Sequence, residues 1–244
     1  MGPLSDIIRV SGKGNAKFAV LIDPDKHTPQ SLKKIKALSI EAGADLFLFG
    51  GSLLTKDRVD ELLDVLKKDS PLPVILFPGN NLQINSKADA ILLLSLISGR
   101  NPELLIGRHV VAAPYIRASG LAVIPTGYIL VDGGVHTAVS YMSSTTPIPA
   151  DKPSIASCTA MAGEMLGLRV IYLDAGSGAR NPVPADMIRE VRKHTSIPIV
   201  VGGGITTPAK ARKAAAAGAD IVVVGNALEQ DPSLVFKISK AVHQ

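Results

Sequence analysis

Short apolar runs alternate with amphipathic helical stretches along most of the chain. This alternation favours a parallel β-sheet covered by α-helices. Eight apolar runs predict strands over residues 18–22, 45–49, 73–77, 90–94, 121–131, 170–173, 197–201 and 221–224. Eight strands separated by helices are typical of an α/β fold of the TIM-type (β/α)8 barrel class, and a length of 244 residues suits one barrel domain spanning residues 1–244.

The helical patterns predict helices over residues 29–42, 55–68, 102–119, 153–166, 184–195 and 208–217, with a last helix from Asn226 or after Pro232. A long loop is expected between the fifth strand and Pro153. Residues 78–88 break the pattern, because they are too few and too rich in turn-forming side chains for a covering helix. We therefore expect the third helix to be missing or replaced by extended chain. Such a gap would either open an apolar groove beside the barrel mouth or simply leave a degenerate barrel.

Glycines end the last two predicted strands. Gly202, Gly203 and Gly204 follow the seventh strand, and Gly225 with Asn226 follows the eighth. Glycine lets backbone N–H groups approach a ligand closely, and the helix N-terminus that follows adds partial positive charge. In (β/α)8 barrels the loops after strands seven and eight often form a phosphate site. These residues therefore predict a phosphate-bearing substrate.

Two carboxylates follow predicted strands at the same rim. Asp174 precedes a Gly-Ser-Gly loop at residues 176–178, so it is placed to take a proton from a hydroxyl of a phosphorylated molecule. The two glycines could equally serve a tight turn. Asp23 follows the first strand and Ser52 the second, and their oxygens could bind Mg²⁺ together with water and phosphate oxygens. Asp23 could instead cap its own loop.

Composition and charge narrow the function classes. The formal net charge is +5, but the lysine clusters lie on predicted outer helices, aromatic residues make up only 4% and tryptophan is absent. A base-stacking platform for nucleic acid is therefore not expected, whereas peripheral contact with anionic lipid headgroups is compatible with the charge.

No apolar run is long enough to span a bilayer, no secretory signal is expected, and the lone Cys158 suits a reducing cytoplasm. Barrels with apolar outer helices often assemble, so we expect a homo-oligomer.

Seven motifs, in this order, resemble those of the geranylgeranylglyceryl phosphate synthase family, which includes bacterial heptaprenylglyceryl phosphate synthases. The motifs are Asp23-Pro24-Asp25-Lys26, Gly50-Gly51-Ser52, Ile106-Gly107-Arg108-His109, Pro125-Thr126-Gly127-Tyr128, Tyr172-Leu173-Asp174-Ala175-Gly176-Ser177-Gly178, Gly202-Gly203-Gly204-Ile205 and Gly225-Asn226. The likeness covers nearly the whole chain, and the Ala-Gly-Ser-Gly form of the fifth motif resembles the second of the family's two broad groups. The family's barrel also lacks a regular third helix.

The resemblance implies a prenyltransferase that joins a polyprenyl diphosphate, with geranylgeranyl as the expected chain, to the 3-hydroxyl of sn-glycerol 1-phosphate. The products would be an ether lipid precursor and diphosphate. By the same resemblance, Asp23 and Ser52 would bind the cofactor Mg²⁺, and Tyr172 and Asp174 would be catalytic. Glycerol phosphate would be held by Tyr172, Leu173, Asp174, Ala175, Gly176, Ser177, Gly178, Gly203, Gly204, Gly225 and Asn226. The family usually has glutamate where this chain has Asp174, so the carboxylate is retracted here.

The sequence leaves open the roles of several further residues and two alternative functions. Lys26 and Arg100 could help to neutralise the leaving diphosphate, Arg108 could form an ion pair or contact substrate, and His109 is expected to pack in its helix. The hydroxyl-rich loop at residues 141–147 could line the site or lie at the surface. Another phosphate-binding barrel enzyme, such as a sugar-phosphate isomerase or a thiamin-phosphate-type synthase, is one alternative function. A non-catalytic phosphate-sensing barrel that binds RNA is another.

Overall fold

Eight parallel strands close into a barrel in the computed structural model, which describes residues 16–244. The strands are β1 (Lys17–Ile22), β2 (Leu46–Phe49), β3 (Val74–Leu76), β4 (Ala90–Leu96), β5 (Ala122–Leu130), β6 (Val170–Asp174), β7 (Ile199–Gly202) and β8 (Ile221–Val224). Their order around the barrel follows the chain, and β8 pairs with β1 through Ile221 opposite Lys17. The predicted TIM-type fold is confirmed. Residues 1–15 of the predicted domain lie outside the described residues.

The strands carry apolar side chains on both faces because the sheet is buried on both sides. On β1, Phe18, Val20 and Ile22 belong to the core layer that packs against the helices, whereas Ala19 and Leu21 belong to the layer inside the barrel. Successive side chains of a strand point to opposite faces, so each strand contributes to both layers. This double burial is why the strands appear in the sequence as continuous apolar runs.

The described part of the chain contains nine α-helices: α1 (Pro29–Glu41), α2 (Val59–Lys67), α3 (Arg108–Ser119), α4 (Ala138–Ser143), α5 (Pro153–Met165), α6 (Ala185–His194), α7 (Pro208–Ala216), α8 (Asn226–Gln230) and α9 (Leu234–Val242). The predicted last helix is in fact two helices: α8 begins at the predicted Asn226, and α9 begins after Pro232. Helix α2 begins later than predicted, and a π-helical turn over Glu103–Gly107 precedes α3. No helix among residues 16–244 is long and apolar enough to cross a membrane.

The sequence pattern did not predict α4, which interrupts the expected loop after β5. Its six residues are too few to show a hydrophobic period. A capping box starts it, in which the Thr137 side chain accepts from the Ser140 N–H and the Ser140 side chain accepts from the Thr137 N–H. The cap provides partners for backbone N–H groups at the start of this short helix.

The connection between β3 and β4 contains no α-helix, and all of it lies in the described part of the chain. A single 3-10 turn over Asn81–Gln83 stands in its place, and the Asn80 side chain accepts a hydrogen bond from the Leu82 N–H to start it. The buried Gln83 amide donates to the Gly51 carbonyl at 2.8 Å and so holds the turn against the loop after β2. The missing third helix is therefore confirmed, and a groove opens between the outer face of β4 and α3.

Aspartates hold the opposite end of the barrel, where the strands begin. Three of them directly precede a strand and accept a hydrogen bond from a backbone N–H of its neighbour: Asp45 from Phe18 at 2.7 Å, Asp89 from Val74 at 2.8 Å, and Asp220 from Ile199 at 2.7 Å. Each also pairs with a basic side chain, which is His243, Lys67 and Arg192 respectively. These contacts fix neighbouring strands relative to one another, a structural role typical of this end of such barrels.

Candidate active site

A cavity of about 520 Å³ opens at the carboxyl ends of the strands and continues into the groove between β4 and α3. The predicted site residues that line it are Asp23, Ser52, Tyr172, Asp174, Ser177, Gly178, Gly203, Gly204, Gly225 and Asn226. Leu173 and Ala175 instead pack in the layer between strands and helices. Gly176 lies outside the lining, and its N–H donates to the Asp174 carboxylate. Side chains from distant parts of the chain therefore meet around one space.

Asp174 ends β6 and is 93% buried, being only 7% exposed. Its Oδ1 accepts from the Gly176 N–H at 2.8 Å, and its Oδ2 accepts from the Tyr128 hydroxyl at 2.5 Å. Burial raises the pKa of Asp174 above its ordinary value, and these two hydrogen bonds to the charged form lower it part of the way back. Asp174 is thus a more basic carboxylate than an exposed aspartate, which suits a group that accepts a proton.

Tyr128 is a site residue that sequence reasoning did not single out. It lies near the end of β5, directly opposite Tyr172 of β6. Burial and the Asp174 charge raise the pKa of Tyr128 well above its ordinary value, so its hydroxyl stays protonated and donates to Asp174. The only sequence signal was its place in the Pro125–Tyr128 motif, where no chemical role was assigned to it.

Three aromatic rings form the floor of the cavity beside Asp174. The ring of Phe77 stacks on that of Tyr172, with centroids 4.9 Å apart and planes 8° from parallel. Tyr128 is tilted against both rings at 6.0 and 5.5 Å. Phe77 directly follows β3 and was also missed by the sequence reasoning.

The glycine residues after β6 and β7 allow two loops to touch. Gly203 has a φ of +80°, and a Cβ there would lie 2.6 Å from the Gly176 nitrogen and 2.7 Å from Asp174 Oδ1. Gly204 has a φ of +67°, and a Cβ there would lie 2.5 Å from the Asn181 carbonyl oxygen. Only glycine fits such close approaches in this backbone region. The β6 and β7 loops can therefore lie directly against each other, and the backbone of Gly203 and Gly204 lines the cavity.

A second contact connects the β6 loop to the β8 loop. The Ser177 hydroxyl donates to Asn226 Oδ1 at 2.9 Å, and Asn226 is the first residue of α8. Ser177, Asn226 and the glycines after β7 thus surround one corner of the cavity with small polar groups. Amide groups, a hydroxyl and a helix start in one corner can bind a phosphate group.

Asp23 and Ser52 lie on the other side of the cavity, at the ends of β1 and β2. Asp23 Oδ1 accepts from the Asp25 N–H at 3.0 Å and so caps its own 3-10 turn, while Oδ2 lies 3.9 Å from Lys26 Nζ. Lys26 also contacts Glu229 Oε2 at 3.2 Å. Burial raises the pKa of Asp23, with the Asp25 N–H and the Lys26 charge opposing this.

The donor set at Asp23 and Ser52 fits one kind of metal ion. Both side chains offer hard oxygen atoms, and Oδ2 of Asp23 accepts no hydrogen bond from any residue that the structure describes. Within residues 16–244 no three His, Cys, Asp or Glu side chains cluster in a way that could hold a metal unaided. A cation here would take most of its ligands from water and from substrate phosphates, which is how Mg²⁺ is usually bound.

The remaining predicted residues are placed as follows. Arg100 donates to the carbonyl of Gly99 at 2.9 Å and does not line the cavity, so Lys26 is the better placed of the two expected cations. Arg108 lines the groove and forms no ion pair with any described residue. His109 Nε2 lies 3.3 Å from the Ser95 hydroxyl, while its buried Nδ1 has no partner among the described residues. Of the loop at residues 141–147, Met142 and Ser143 line the cavity, whereas Tyr141 is exposed.

A protein-family model described as the PcrB family matches residues 12–243. The chain belongs to this family. A relative named geranylgeranylglyceryl phosphate synthase, from Spirosoma linguale, is 54% identical over 231 residues, which are 95% of this chain and 93% of the relative. The family resemblance inferred from the motifs is thereby confirmed.

Two solved structures extend the comparison. That of (S)-3-O-geranylgeranylglyceryl phosphate synthase from Thermoplasma acidophilum, in complex with its substrate sn-glycerol-1-phosphate, is 34% identical with a TM-score of 0.92, and the match covers 99% of this chain and 98% of that one. Thiamine phosphate pyrophosphorylase from Pyrococcus furiosus has a TM-score of 0.57 at 15% identity, over 94% of this chain and 96% of that one. The second likeness shows the shared barrel fold alone.

Proposed function

We propose that this protein transfers a prenyl group, with geranylgeranyl as the expected chain, from its diphosphate to the 3-hydroxyl of sn-glycerol 1-phosphate. An ether bond forms and diphosphate is released. The observation that carries the proposal is one continuous cavity in which a buried carboxylate, a phosphate-binding corner and an apolar groove meet. Relatives with this activity in their names, at up to 54% identity over nearly the whole chain, support the same conclusion.

The acceptor binds on the side of the cavity formed by the loops after β6, β7 and β8. Its phosphate lies in the corner formed by Ser177, Gly203, Gly204 and Asn226, and this places the glycerol hydroxyls toward Asp174. Asp174 takes the proton of the 3-hydroxyl as the ether bond forms. A positioned general base contributes a factor of about 10²–10⁴ to a rate. Tyr128 holds the carboxylate in place through its short hydrogen bond.

The donor binds across the rest of the cavity. Its diphosphate lies against Asp23, Ser52 and Lys26, and its hydrocarbon chain follows the groove lined by Ile91 and Ile116. Asp23 and Ser52 would hold Mg²⁺, which would neutralise the charge of the leaving diphosphate. Burial of the chain in an apolar groove contributes about 0.8 kcal/mol for each CH₂ group.

The other enzyme classes find less support in this cavity. A sugar-phosphate isomerase typically uses a pair of facing carboxylates or a lysine at a strand end. Lys26 is the only lysine among the described residues that line the cavity, and it lies beyond β1. The carboxylates of Asp23 and Asp174 lie on different sides of the cavity, and each accepts hydrogen bonds from its own surroundings. A phosphate sensor has no use for the apolar groove. The groove and Asp174 together are explained by a reaction between a lipid diphosphate and a small phosphorylated alcohol.

We also propose that the protein acts in the cytoplasm as a homo-oligomer in peripheral contact with a membrane, without a nucleic-acid partner. Helix α3 exposes Val110, Val111 and Tyr115 by more than 60% each, and exposed apolar patches mark interaction surfaces. The donor is a lipid, and the net charge of +5 favours anionic headgroups. Sedimentation equilibrium tests the homo-oligomer, and flotation with anionic vesicles tests the membrane contact. A monomer would contradict the first proposal, and protein that does not float with the vesicles would contradict the second.

The function is tested with purified protein, three donors and two acceptors. Farnesyl, geranylgeranyl and heptaprenyl diphosphate are each offered with sn-glycerol 1-phosphate and with the sn-3 isomer, with Mg²⁺ or with EDTA. We expect a prenyl ether from geranylgeranyl diphosphate and the sn-1 isomer, in the presence of Mg²⁺. Equal turnover of the sn-3 isomer would overturn the acceptor assignment, and absence of any ether would overturn the reaction.

An Asp23→Asn variant tests the metal assignment. Asparagine keeps the oxygen that caps the 3-10 turn but removes the charge. We expect the Mg²⁺ concentration for half-maximal activity to rise by about tenfold or more, because one anionic ligand is lost. Asp25→Asn, which alters a carboxylate tied to Thr55 and Lys56 outside the cavity, is the matched control. An unchanged Mg²⁺ dependence in Asp23→Asn would contradict the assignment.

A further inference from the structure

Phe77 lies where the two halves of the cavity join. Its backbone carbonyl lies so close to Gly50 of the β2 loop that a Cβ on Gly50 would be 2.1 Å from the carbonyl oxygen. Pro78 directly follows Phe77 and lines the same cavity as the groove residues Ile91 and Ile116. The donor proposed above has its diphosphate at the β2 loop and its chain in the groove. The carbon that connects them therefore lies beside Phe77.

The ring of Phe77 packs against two tyrosines, and Phe77 also lines the cavity. Tyr172, which is 1% exposed, stacks on one face at 4.9 Å, whereas Phe77 itself is only half-buried and lines the cavity. Tyr172 and Asp174 lie two residues apart on β6, so their side chains share the inner face of the barrel. The Phe77 ring also lies 6.0 Å from the ring of Tyr128, whose hydroxyl binds Asp174, so it is one side chain away from the proposed base.

Of the three rings at the cavity floor, Phe77 is the best placed to meet positive charge. Tyr128 and Tyr172 are at most 5% exposed, and the Tyr128 hydroxyl is already bound to Asp174. The face of an aromatic ring carries partial negative charge and attracts a cation, most strongly where water is excluded.

We propose that Phe77 is a catalytic residue whose ring face stabilises the positive charge that develops on the allylic carbon of the donor. This rests on the proposed function. In the reaction the bond from the allylic carbon to the diphosphate oxygen breaks, and its electron pair leaves with diphosphate. A lone pair of the acceptor oxygen forms the new carbon–oxygen bond, and the hydroxyl proton passes to Asp174. Phe77 forms no bond and changes no charge.

The test replaces Phe77, by site-specific incorporation, with 4-fluoro-, 3,5-difluoro- and 3,4,5-trifluorophenylalanine. Each fluorine withdraws charge from the ring face while the ring keeps almost the same shape. We expect kcat with geranylgeranyl diphosphate to fall stepwise, reaching about a tenfold loss in the trifluoro variant, with an unchanged KM for sn-glycerol 1-phosphate. Phe77→Leu, which stays apolar but has no ring, should lose at least as much. The same series at Phe236 of α9, away from the cavity, is the control and should leave kcat unchanged.

The outcomes separate this inference from the function on which it rests. If the unsubstituted protein forms the prenyl ether and the fluorinated series at Phe77 is flat, the ring has no electrostatic part in the reaction and the inference is overturned. A series in which KM for the acceptor rises while kcat holds would likewise overturn it, because it would assign Phe77 to acceptor binding. If the unsubstituted protein forms no ether, the proposed function fails and the inference fails with it. Thermal unfolding of each variant shows whether the fold is retained, and the fluorinated series decides even if Phe77→Leu does not fold.

Discussion

At the residue scale, the chemistry of the site depends on how Asp174 is held. Burial alone would keep this carboxyl protonated to a higher pH than an exposed aspartate. The Tyr128 hydroxyl and the Gly176 N–H counter this by binding the charged form. The aspartate is fixed at both oxygens, so the direction of its carboxylate is set by β5 and by the loop after β6.

A Tyr128→Phe variant should shift the pH dependence of activity. Removing the hydroxyl removes a hydrogen bond to the charged form of Asp174, so the pKa of Asp174 rises further. Because a base works only when deprotonated, the acidic limb of the kcat/KM profile should move to higher pH, by about one unit, and kcat should fall about tenfold. Tyr115→Phe, at an exposed position on α3, is the control. An acidic limb that stays in place would show that Tyr128 does not tune this carboxyl.

A pair of glycine substitutions separates backbone strain from damage to the site. Gly43 and Gly203 have similar φ values of +73° and +80°, but a Cβ at Gly43 meets nothing within 4 Å. Gly43→Ala should therefore cost about 1 kcal/mol of unfolding free energy and leave kinetics unchanged. Gly203→Ala should cost more, about 2–3 kcal/mol, and raise KM for sn-glycerol 1-phosphate, since its Cβ would displace Asp174 and the Gly176 amide. Urea unfolding and steady-state kinetics measure both effects, and equal behaviour of the two variants would contradict the argument.

At the scale of elements, the main feature is a helix that is absent. The 3-10 turn over Asn81–Gln83 covers far less of β3 and β4 than a full helix would, and Gln83 keeps it folded back toward the β2 loop. The outer side chains of β4, Ile91 and Leu93, therefore face the groove as well as α3. The proposed function uses the space left by this helix to bind the hydrocarbon chain of the donor.

Filling the groove should change which donor is used. Ala112 of α3 is buried and lines the groove, whereas the neighbouring Ala113 is exposed on the same helix. Ala112→Phe should shift the ratio of kcat/KM for farnesyl over geranylgeranyl diphosphate by about tenfold or more toward the shorter chain. Ala113→Phe should leave the ratio unchanged. If both variants keep the original preference, the chain does not lie in this groove.

The sequence predicted helices and strands well where the pattern of hydrophobic positions extended over enough residues to be recognised. Continuous apolar runs indicated the strands of the barrel, and the turn-rich residues 78–88 indicated the missing helix. Both signals are visible in the sequence because burial of a strand on both faces, and the formation of a turn, depend on residues that are adjacent in the chain. Helix α4 was missed because six residues carry no period, and its capping box became visible only in three dimensions.

For the site, glycines and acidic residues at strand ends could be found because a strand end is a local feature. Tyr128 and Phe77 could not be found in the same way. Which residue near a strand end reaches the barrel interior depends on the tilt and stagger of the strands, which a single sequence does not reveal. Both are ordinary strand-forming residues, and only their contacts with Asp174 and Tyr172 distinguish them.

At the scale of the whole molecule, the two ends of the barrel have different tasks. The carboxyl ends of the strands carry the cavity, while the amino ends carry Asp45, Asp89 and Asp220, which accept hydrogen bonds from neighbouring strands. The aspartates that stabilise the barrel therefore lie at the opposite end from the cavity, so a substitution among them can change stability without touching the candidate site.

Removing one of these aspartates should lower stability without affecting catalysis. Asp220 accepts from the Ile199 N–H and pairs with Arg192, with its side chain only 24% exposed. Asp220→Ala should cost about 2 kcal/mol of unfolding free energy because two hydrogen bonds to a charged group are lost. Asp186→Ala, which breaks the exposed pair with Arg189, should leave stability nearly unchanged. Urea titration gives the comparison, and KM for both substrates should stay the same in both variants.

The gap beside β4 has a consequence for stability if the proposed donor binds there. A prenyl chain in the groove would cover Ile91 and Leu93 as a helix covers other strands. The substrate would then also complete the outer layer of the barrel. Because a ligand that binds only the folded state stabilises it, a non-hydrolysable geranylgeranyl diphosphate analogue at a hundredfold excess over its Kd should add about 2.7 kcal/mol. Protein deprived of its lipid would then be the form that unfolds and is degraded first, and its abundance would follow the supply of donor.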